Sequence, residues 1–238
     1  MHYVLSDIHG NKEAFDTMLS LIDLKPEDHL YILGDVIDRG AHGIELLQQI
    51  RAMQNCTLLM GNHEYMMINA LRHPENLEYK YLWRNNRCIF TYDAFLSLSE
   101  EEQEDLLCYL EGLPVQTEVI VNHRRCILVH AAPQELFDTE NMKCYDLKEF
   151  IVWHRLTKDS RMPARMNVIF GHTPTWKFHR AMHIFHGKKM LAIDCGCGFP
   201  KRGGQLGCIR LEDMTEYYSD DGIFTQDEAV EWLLRKDR

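Results

Sequence analysis

The sequence contains no apolar run approaching the roughly 18 residues that a membrane-spanning helix needs, so no membrane partner is expected. Its first residues, Met1-His2-Tyr3-Val4-Leu5-Ser6-Asp7, have neither the basic flank nor the extended apolar stretch of a secretory signal. The expectation is a soluble, cytoplasmic protein. Seven prolines and 14 glycines in 238 residues are too few for a fibrous or disordered chain. Positive charge is scarce as well: 26 Lys and Arg stand against 36 Asp and Glu, a formal charge of -10. A field of that sign opposes polyanions, so nucleic acid is not an expected partner. The eight cysteines form no CxxC pair and read as reduced, mostly buried thiols. Cys195 and Cys197 are close in sequence, but two thiols cannot close a structural zinc site, and they read as core packing.

What is present is an ordinary globular composition, 45% hydrophobic and 26% charged, at a length that suits a single domain over residues 1–238. Short apolar runs alternate with helical spacing in the first sixty residues. Tyr3-Val4-Leu5, His29 to Leu33 and Thr57 to Met60 read as buried strands; Phe15, Met18, Leu19 and Ile22 repeat at helical spacing, as Ile44, Leu47, Ile50 and Met53 do more loosely. Strand, polar turn, helix, strand is the βαβ pattern and predicts a parallel sheet. Residues 64–112 lack strand alternation and read as a helical insertion, with a capping box at Ser99 and Glu102. The acidic run from Glu100 to Asp105 reads as a solvated helix face.

Strand-like runs resume at Val119–Val121, Cys126–Val129, Val168–Phe170, His183–Phe185, Met190–Ile193 and Gly207–Leu211, with a turn at Gly187-Lys188 and a last helix from about Thr225. The predicted fold class is α/β: a layered β-sandwich of two mixed sheets flanked by helices, with the helical insertion after the third strand.

Five strands run into polar clusters: Asp7-Ile8-His9-Gly10, Gly34-Asp35-Val36-Ile37-Asp38-Arg39-Gly40, Gly61-Asn62-His63-Glu64, His130, and Gly171-His172-Thr173-Pro174. In parallel sheets, ligands gather outside the carboxyl ends of the strands. Each cluster alone has an ordinary reading: a turn for Asp-x-His-Gly and Gly-Asp, a helix cap for Asn62, a hydrogen-bonded core histidine for His130 or His172. Five clusters in one order weaken those readings together. Carboxylate, imidazole and amide oxygen are ligands for Mn, Fe or Zn. Asp7, His9, Asp35, Asn62, His130 and His172 supply enough of them for two ions sharing one bridging carboxylate.

The motif series resembles that of the calcineurin-like metallophosphoesterases, and within them the phosphoprotein phosphatase branch with its small bacterial and bacteriophage-lambda-type members. The resemblance implies Asp7 and His9 on the first metal, Asp35 bridging both, and Asn62, His130 and His172 on the second. It implies His63 as general acid oriented by Asp38, Arg39 as one clamp on the phosphate, and Arg155 of Trp153-His154-Arg155 as the second clamp.

The chemistry suits these residue types. Two divalent ions, Mn in the first instance, lower the pKa of a bridging water so that it attacks phosphorus directly, and they neutralise phosphate oxygens. A histidine held by a carboxylate protonates the leaving oxygen, and an arginine fork fits two phosphate oxygens. No cysteine has an arginine at the spacing of a Cys-x5-Arg nucleophile loop. The expected function is a two-metal phosphomonoesterase of phosphoserine, phosphothreonine or phosphotyrosine in proteins, or of small phosphoesters. The alternative is a symmetrical diadenosine tetraphosphate hydrolase. Asp38 and Glu64 favour the former, because the dinucleotide hydrolases typically have Ala-Arg-Gly and Asn-His-Asp at those motifs. A non-catalytic metal scaffold is disfavoured, since no ligand is missing. Asp194 and the Lys201-Arg202 loop match no position in the series.

Overall fold

A computed structural model describes residues 1–138, 146–163, 166–225 and 227–228. The first sheet is built on β1 (His2–Leu5), β2 (His29–Ile32) and β3 (Cys56–Leu58), joined by α1 (Lys12–Ile22) and α2 (Gly43–Ala52). These strands are parallel, in the order of the chain. The insertion is four helices: α3 (Asn62–Arg72), α4 (Leu77–Asn85), α5 (Ile89–Leu96) and α6 (Glu100–Glu111). A second sheet follows from β4 (Gln116–Val121) and β5 (Arg124–Val129), then α7 (Leu147–Trp153), β6 (Asn167–Phe170), β7 (Phe185–Gly187) and β8 (Met190–Ala192). The chain returns to the first sheet with β9 (Gly207–Arg210), β10 (Glu216–Tyr218) and β11 (Gly222–Phe224). The sheet orders are β11-β10-β9-β1-β2-β3 and β4-β5-β6-β8-β7. Both are mixed: the parallel block β1-β2-β3 forms one edge of the first sheet, and β5-β6-β8 forms the centre of the second.

Period-two alternation explains the layering. Along β5, Cys126 and Leu128 face the inter-sheet core, whereas Ile127 and Val129 face the layer that contains Phe150 and Ile151 of α7. Val4 of β1 likewise faces the second sheet while Tyr3 and Leu5 face Phe15 and Met18 of α1. Strands apolar on both faces must be covered on both faces, which gives helices, sheet, sheet, helix.

The α/β sandwich of two mixed sheets and the insertion follow the sequence reading, with local differences. β7 begins at Phe185, so His183 and Ile184 precede the strand, and β3 stops at Leu58. The cap residue of α3 is Gly61, with Asn62 already inside the helix. Strands β10 and β11 and helix α7 were not anticipated. Glu104 and Asp105 are paired with Arg72 and Arg51, so the acidic face of α6 is a docking face as well as a solvated one. At the predicted last helix, Thr225 and Glu228 exchange cap hydrogen bonds of 2.8 and 3.4 Å, and the rest of that segment lies outside the described residues. Cys195 and Cys197 are buried free thiols, as expected of core packing; Cys144 is outside the described residues. No helix among the described residues is long and apolar enough to cross a membrane.

Candidate metal centre

The two parallel blocks deliver their polar clusters to one place. Asp7 follows β1, Asp35 follows β2, Asn62 and His63 open α3 after β3, His130 follows β5 and His172 follows β6. All six are buried. The sheets are stitched there: His130 Nδ1 donates to the Leu33 carbonyl at 2.6 Å, and the His172 backbone N–H donates to Asp7 Oδ2 at 2.9 Å.

The backbone at this junction is strained. Asp7, His9, Asp35, Asp38, Arg39 and His172 all have left-handed φ, between 51° and 69°. That is half of the twelve non-glycine residues with positive φ among those described. Such a conformation costs of order 1–3 kcal/mol per residue and clusters where a site demands it. Neighbouring turns are locked in register, with Asp7 N–H on Gly34 O at 3.1 Å, His9 N–H on Asp35 O at 2.9 Å and Gly10 N–H on Val36 O at 2.7 Å. Gly171 is required by close approach: a Cβ there would lie 2.2 Å from Asp7 Oδ2 and 2.0 Å from Ser6 Oγ.

Ring tautomers follow from the hydrogen bonds. His9 Nδ1 donates to Ile37 O at 3.1 Å and His172 Nε2 to Trp153 O at 3.1 Å. Burial foremost, then the charges of Arg39 and His63, hold His9 well below the usual histidine range. Burial, then His130 and Arg155, does the same for His172. Burial also lowers His130, against Asp7 and Glu64. The neutral rings therefore point lone pairs inward. His9 Nε2 faces Asp35 Oδ2 at 3.6 Å and Asp7 Oδ1 at 3.8 Å, and has no hydrogen-bond partner among the described residues. Asn62 Oδ1 lies 2.9 Å from His130 Nε2 and 2.7 Å from His172 Nδ1, with Asp35 Oδ1 3.4 Å from His130 Nε2. Acceptors facing acceptors in a buried space fit metal cations. Burial pushes the Asp35 carboxyl up to about 8, opposed by His63 and reinforced by Asp7 and Glu64, so its anionic form calls for a positive neighbour.

Two groups can each hold an ion: His9, Asp35 and His63, and Asp35, His130 and His172. Asp35 belongs to both. His63 stands in the first group because its Nε2 is 3.8 Å from Asp35 Oδ2. Its Nδ1 is 2.6 Å from Asp38 Oδ2. Burial disfavours charge on His63, but Asp35 and Asp38 outweigh it and raise its pKa. Arg39 Nη2 donates to His63 Nε2 at 3.2 Å. Arg155 sits beside the second group, its Nη1 donating to the His172 carbonyl at 2.9 Å. Asp7 belongs to neither group, though its Oδ1 lies 3.8 Å from His9 Nε2, and Arg39 and Arg155 touch the cluster through His63 and the His172 carbonyl.

Several contributors were not foreseen. Glu64 is fully buried and accepts backbone N–H groups from Gly61 (3.0 Å), Asp35 (2.8 Å) and Val36 (2.8 Å). Its position at the start of α3, three residues after Gly61, is a capping pattern that could have disclosed this role. From the insertion, Trp83 Nε1 donates to Asp38 Oδ2 at 3.0 Å, and Thr91 Oγ1 accepts the Asp38 backbone N–H at 2.9 Å. Ser6 Oγ donates to Asp7 Oδ2 at 2.5 Å.

A two-sheet α/β sandwich with a buried carboxylate–histidine cluster at its strand ends defines a metal-dependent hydrolase class. The chain belongs to the calcineurin-like phosphoesterase family, whose profile matches residues 3–205. It is 28% identical over 133 residues to the symmetrical bis(5'-nucleosyl)-tetraphosphatase of Erwinia tasmaniensis, across 54% of this chain and 43% of that protein. The chain spans about half the length of the curated relatives it matches. Its fold resembles a cold-active protein-tyrosine phosphatase of a psychrophilic Shewanella (TM-score 0.57, 20% identity, 94% of this chain and 79% of that one). It also resembles a Saccharomyces cerevisiae protein serine/threonine phosphatase (TM-score 0.55, 18% identity, 87% and 71%).

Proposed function

We propose that the chain is a two-metal phosphomonoesterase acting on phosphoserine, phosphothreonine or phosphotyrosine. The observation that carries this reading is the His63–Asp38 pair set against Asp35, beside two converging groups of acceptors. Asp7, His9 and Asp35 would hold one ion, and Asp35, Asn62, His130 and His172 the other. Bound there, two divalent ions, with Mn the first choice for this oxygen and nitrogen set, activate water and neutralise phosphate charge.

The remaining steps belong to side chains. Arg39, beside His63, and Arg155, beside His172, offer planar donors to the phosphate oxygens. Arg39 turns from His63 Nε2 to the phosphate, freeing that nitrogen to carry the proton. His63 Nε2 then delivers it to the departing oxygen, while Asp38 holds Nδ1–H and fixes the ring. Trp83 and Thr91 hold Asp38 in turn.

The second reading is symmetrical hydrolysis of diadenosine tetraphosphate, favoured by the tetraphosphatase relatives. The test is turnover of p-nitrophenyl phosphate, phosphopeptides and diadenosine tetraphosphate by chelator-treated protein before and after Mn is restored. Mn-dependent release of phosphate from phosphopeptides supports the first reading. Turnover confined to the dinucleotide selects the second, and full turnover in chelator removes both.

A further inference from the structure

A cleft of about 560 Å³ opens beside the proposed metal centre, with His9 and Arg39 at its inner end. That volume suits a nucleotide-sized ligand. Its wall carries Arg87, Lys201 and Arg202, all exposed, and none has a carboxylate within ion-pair distance among the described residues. Lys12 also lines it, but is paired with Asp16 at 2.6 Å. Glu13 is the one carboxylate in the lining. In a chain of net charge -10, three unpaired cations collected on the wall of one cleft mark an anion subsite.

This wall is part of the fold's rigid fabric. Lys201 and Arg202 sit on a 3-10 turn, Pro200–Arg202, closed by Gly203 at φ 74°. Phe199, just before it, packs edge-on against Trp176 at 5.2 Å and lies under the Arg39 guanidinium at 4.5 Å. Gly198 allows this: a Cβ there would lie 2.6 Å from Arg39 Nη1 and 2.6 Å from His9 Cδ2. Arg87 is tied to the same corner, its carbonyl accepting the Arg39 backbone N–H at 3.1 Å.

Direction follows from the acid. The proposed proton donor, His63 Nε2, is 3.2 Å from Arg39 Nη2, and Arg39 lines the cleft. A leaving group protonated there extends past Arg39 toward Lys201 and Arg202. We infer that this cleft binds a second phosphate on the leaving group, so that the favoured substrates are small phosphoesters carrying a further phosphate. The inference rests on the phosphomonoesterase reading and shifts its favoured substrates from phosphoamino acid side chains to small phosphoesters.

The test compares AMP, ADP and adenosine 3',5'-bisphosphate with the Mn-loaded enzyme at low and high salt. A phosphate held by charge-assisted hydrogen bonds is expected to give about a tenfold higher kcat/KM than AMP at low salt, with the preference shrinking as salt rises. Preference for the bisphosphate places the second phosphate elsewhere on the leaving group, and preference for ADP places it in a pyrophosphate linkage. The double variant Lys201→Ala/Arg202→Ala should bring the ratio to within about twofold of unity, whereas Lys201→Arg/Arg202→Lys should keep it. Titration calorimetry of metal-free protein with adenosine 3',5'-bisphosphate and AMP gives a readout independent of turnover, and the same variants should lose and keep the difference in affinity. Equal handling of all three nucleotides, or a preference untouched by the double alanine variant, overturns the subsite. Absence of turnover on every monoester, with the binding difference intact, overturns the phosphomonoesterase reading and leaves the subsite standing.

Discussion

The two sheets hold their shares of the centre by different means. The first sheet contributes five of the six left-handed site residues, Asp7, His9, Asp35, Asp38 and Arg39, whose N–H groups are held by Glu64, by carbonyls or, for Asp38, by the Thr91 hydroxyl. The second sheet contributes His172 as its one left-handed site residue. There the rings are aimed by N–H donation to carbonyls, His130 to Leu33 and His172 to Trp153. Both halves aim rings by N–H donation, His9 to Ile37 included, but the first adds a run of left-handed backbone and a single buried carboxylate. Damage to the first half should spread over several ligands, and damage to the second should stay with one.

Asp35→Asn should have the largest effect, because one side chain faces both groups of acceptors. We expect a fall in kcat/KM of about 10³-fold or more, with fewer than two ions bound per chain. His172→Asn should cost less. Normal turnover with two ions retained in Asp35→Asn would end the bridging assignment.

His63→Asn should slow alkyl phosphates by roughly 10²–10⁴-fold and p-nitrophenyl phosphate far less, since nitrophenolate leaves without a proton. Metal content, measured on the same samples, should be unchanged. Equal losses on both esters would make His63 structural, and a loss of metal would make it a ligand, a role its proximity to Asp35 permits.

Glu64→Gln sharpens the comparison most directly. One carboxylate oxygen becomes a donor facing backbone N–H groups, at a cost of roughly 2–4 kcal/mol. For a chain of this length that lowers the melting temperature by about 5–15 °C. An unchanged melt with normal metal content would show that the first half does not depend on this clamp. Trp83→Phe should be the mildest, with alkyl phosphate turnover falling up to about tenfold and p-nitrophenyl phosphate barely touched. Equal effects on both esters would show that Trp83 does not act through Asp38 and His63.

The clustered polar residues were legible because each follows an apolar strand within a few residues, and the two sheets because their strands are apolar on both faces. What escaped notice had no local mark. Trp83 and Thr91 meet Asp38 across 45 and 53 residues of sequence, and nothing in the spacing of α4 or α5 announces it. Helix α7 is seven residues long, and its Phe150-Ile151-Val152 run reads equally as a strand. Strand β10 is Glu216-Tyr217-Tyr218, whose buried Glu216 is satisfied by Tyr218 and His186, a pairing that alternation does not reveal. His183 missed its strand because it stacks on Tyr218 at 4.1 Å instead of pairing in the sheet.

The bonds that stitch the sheets join residues far apart in the chain, 97 positions for Leu33 and His130 and 165 for Asp7 and His172. Contacts of such long range carry a loop-closure entropy that local contacts avoid, and they slow folding. The centre is therefore completed only when both sheets have docked, and any ion seated across it acts as a cross-brace for the tertiary structure. Occupancy of the site and cohesion of the two sheets become one cooperative property of the molecule.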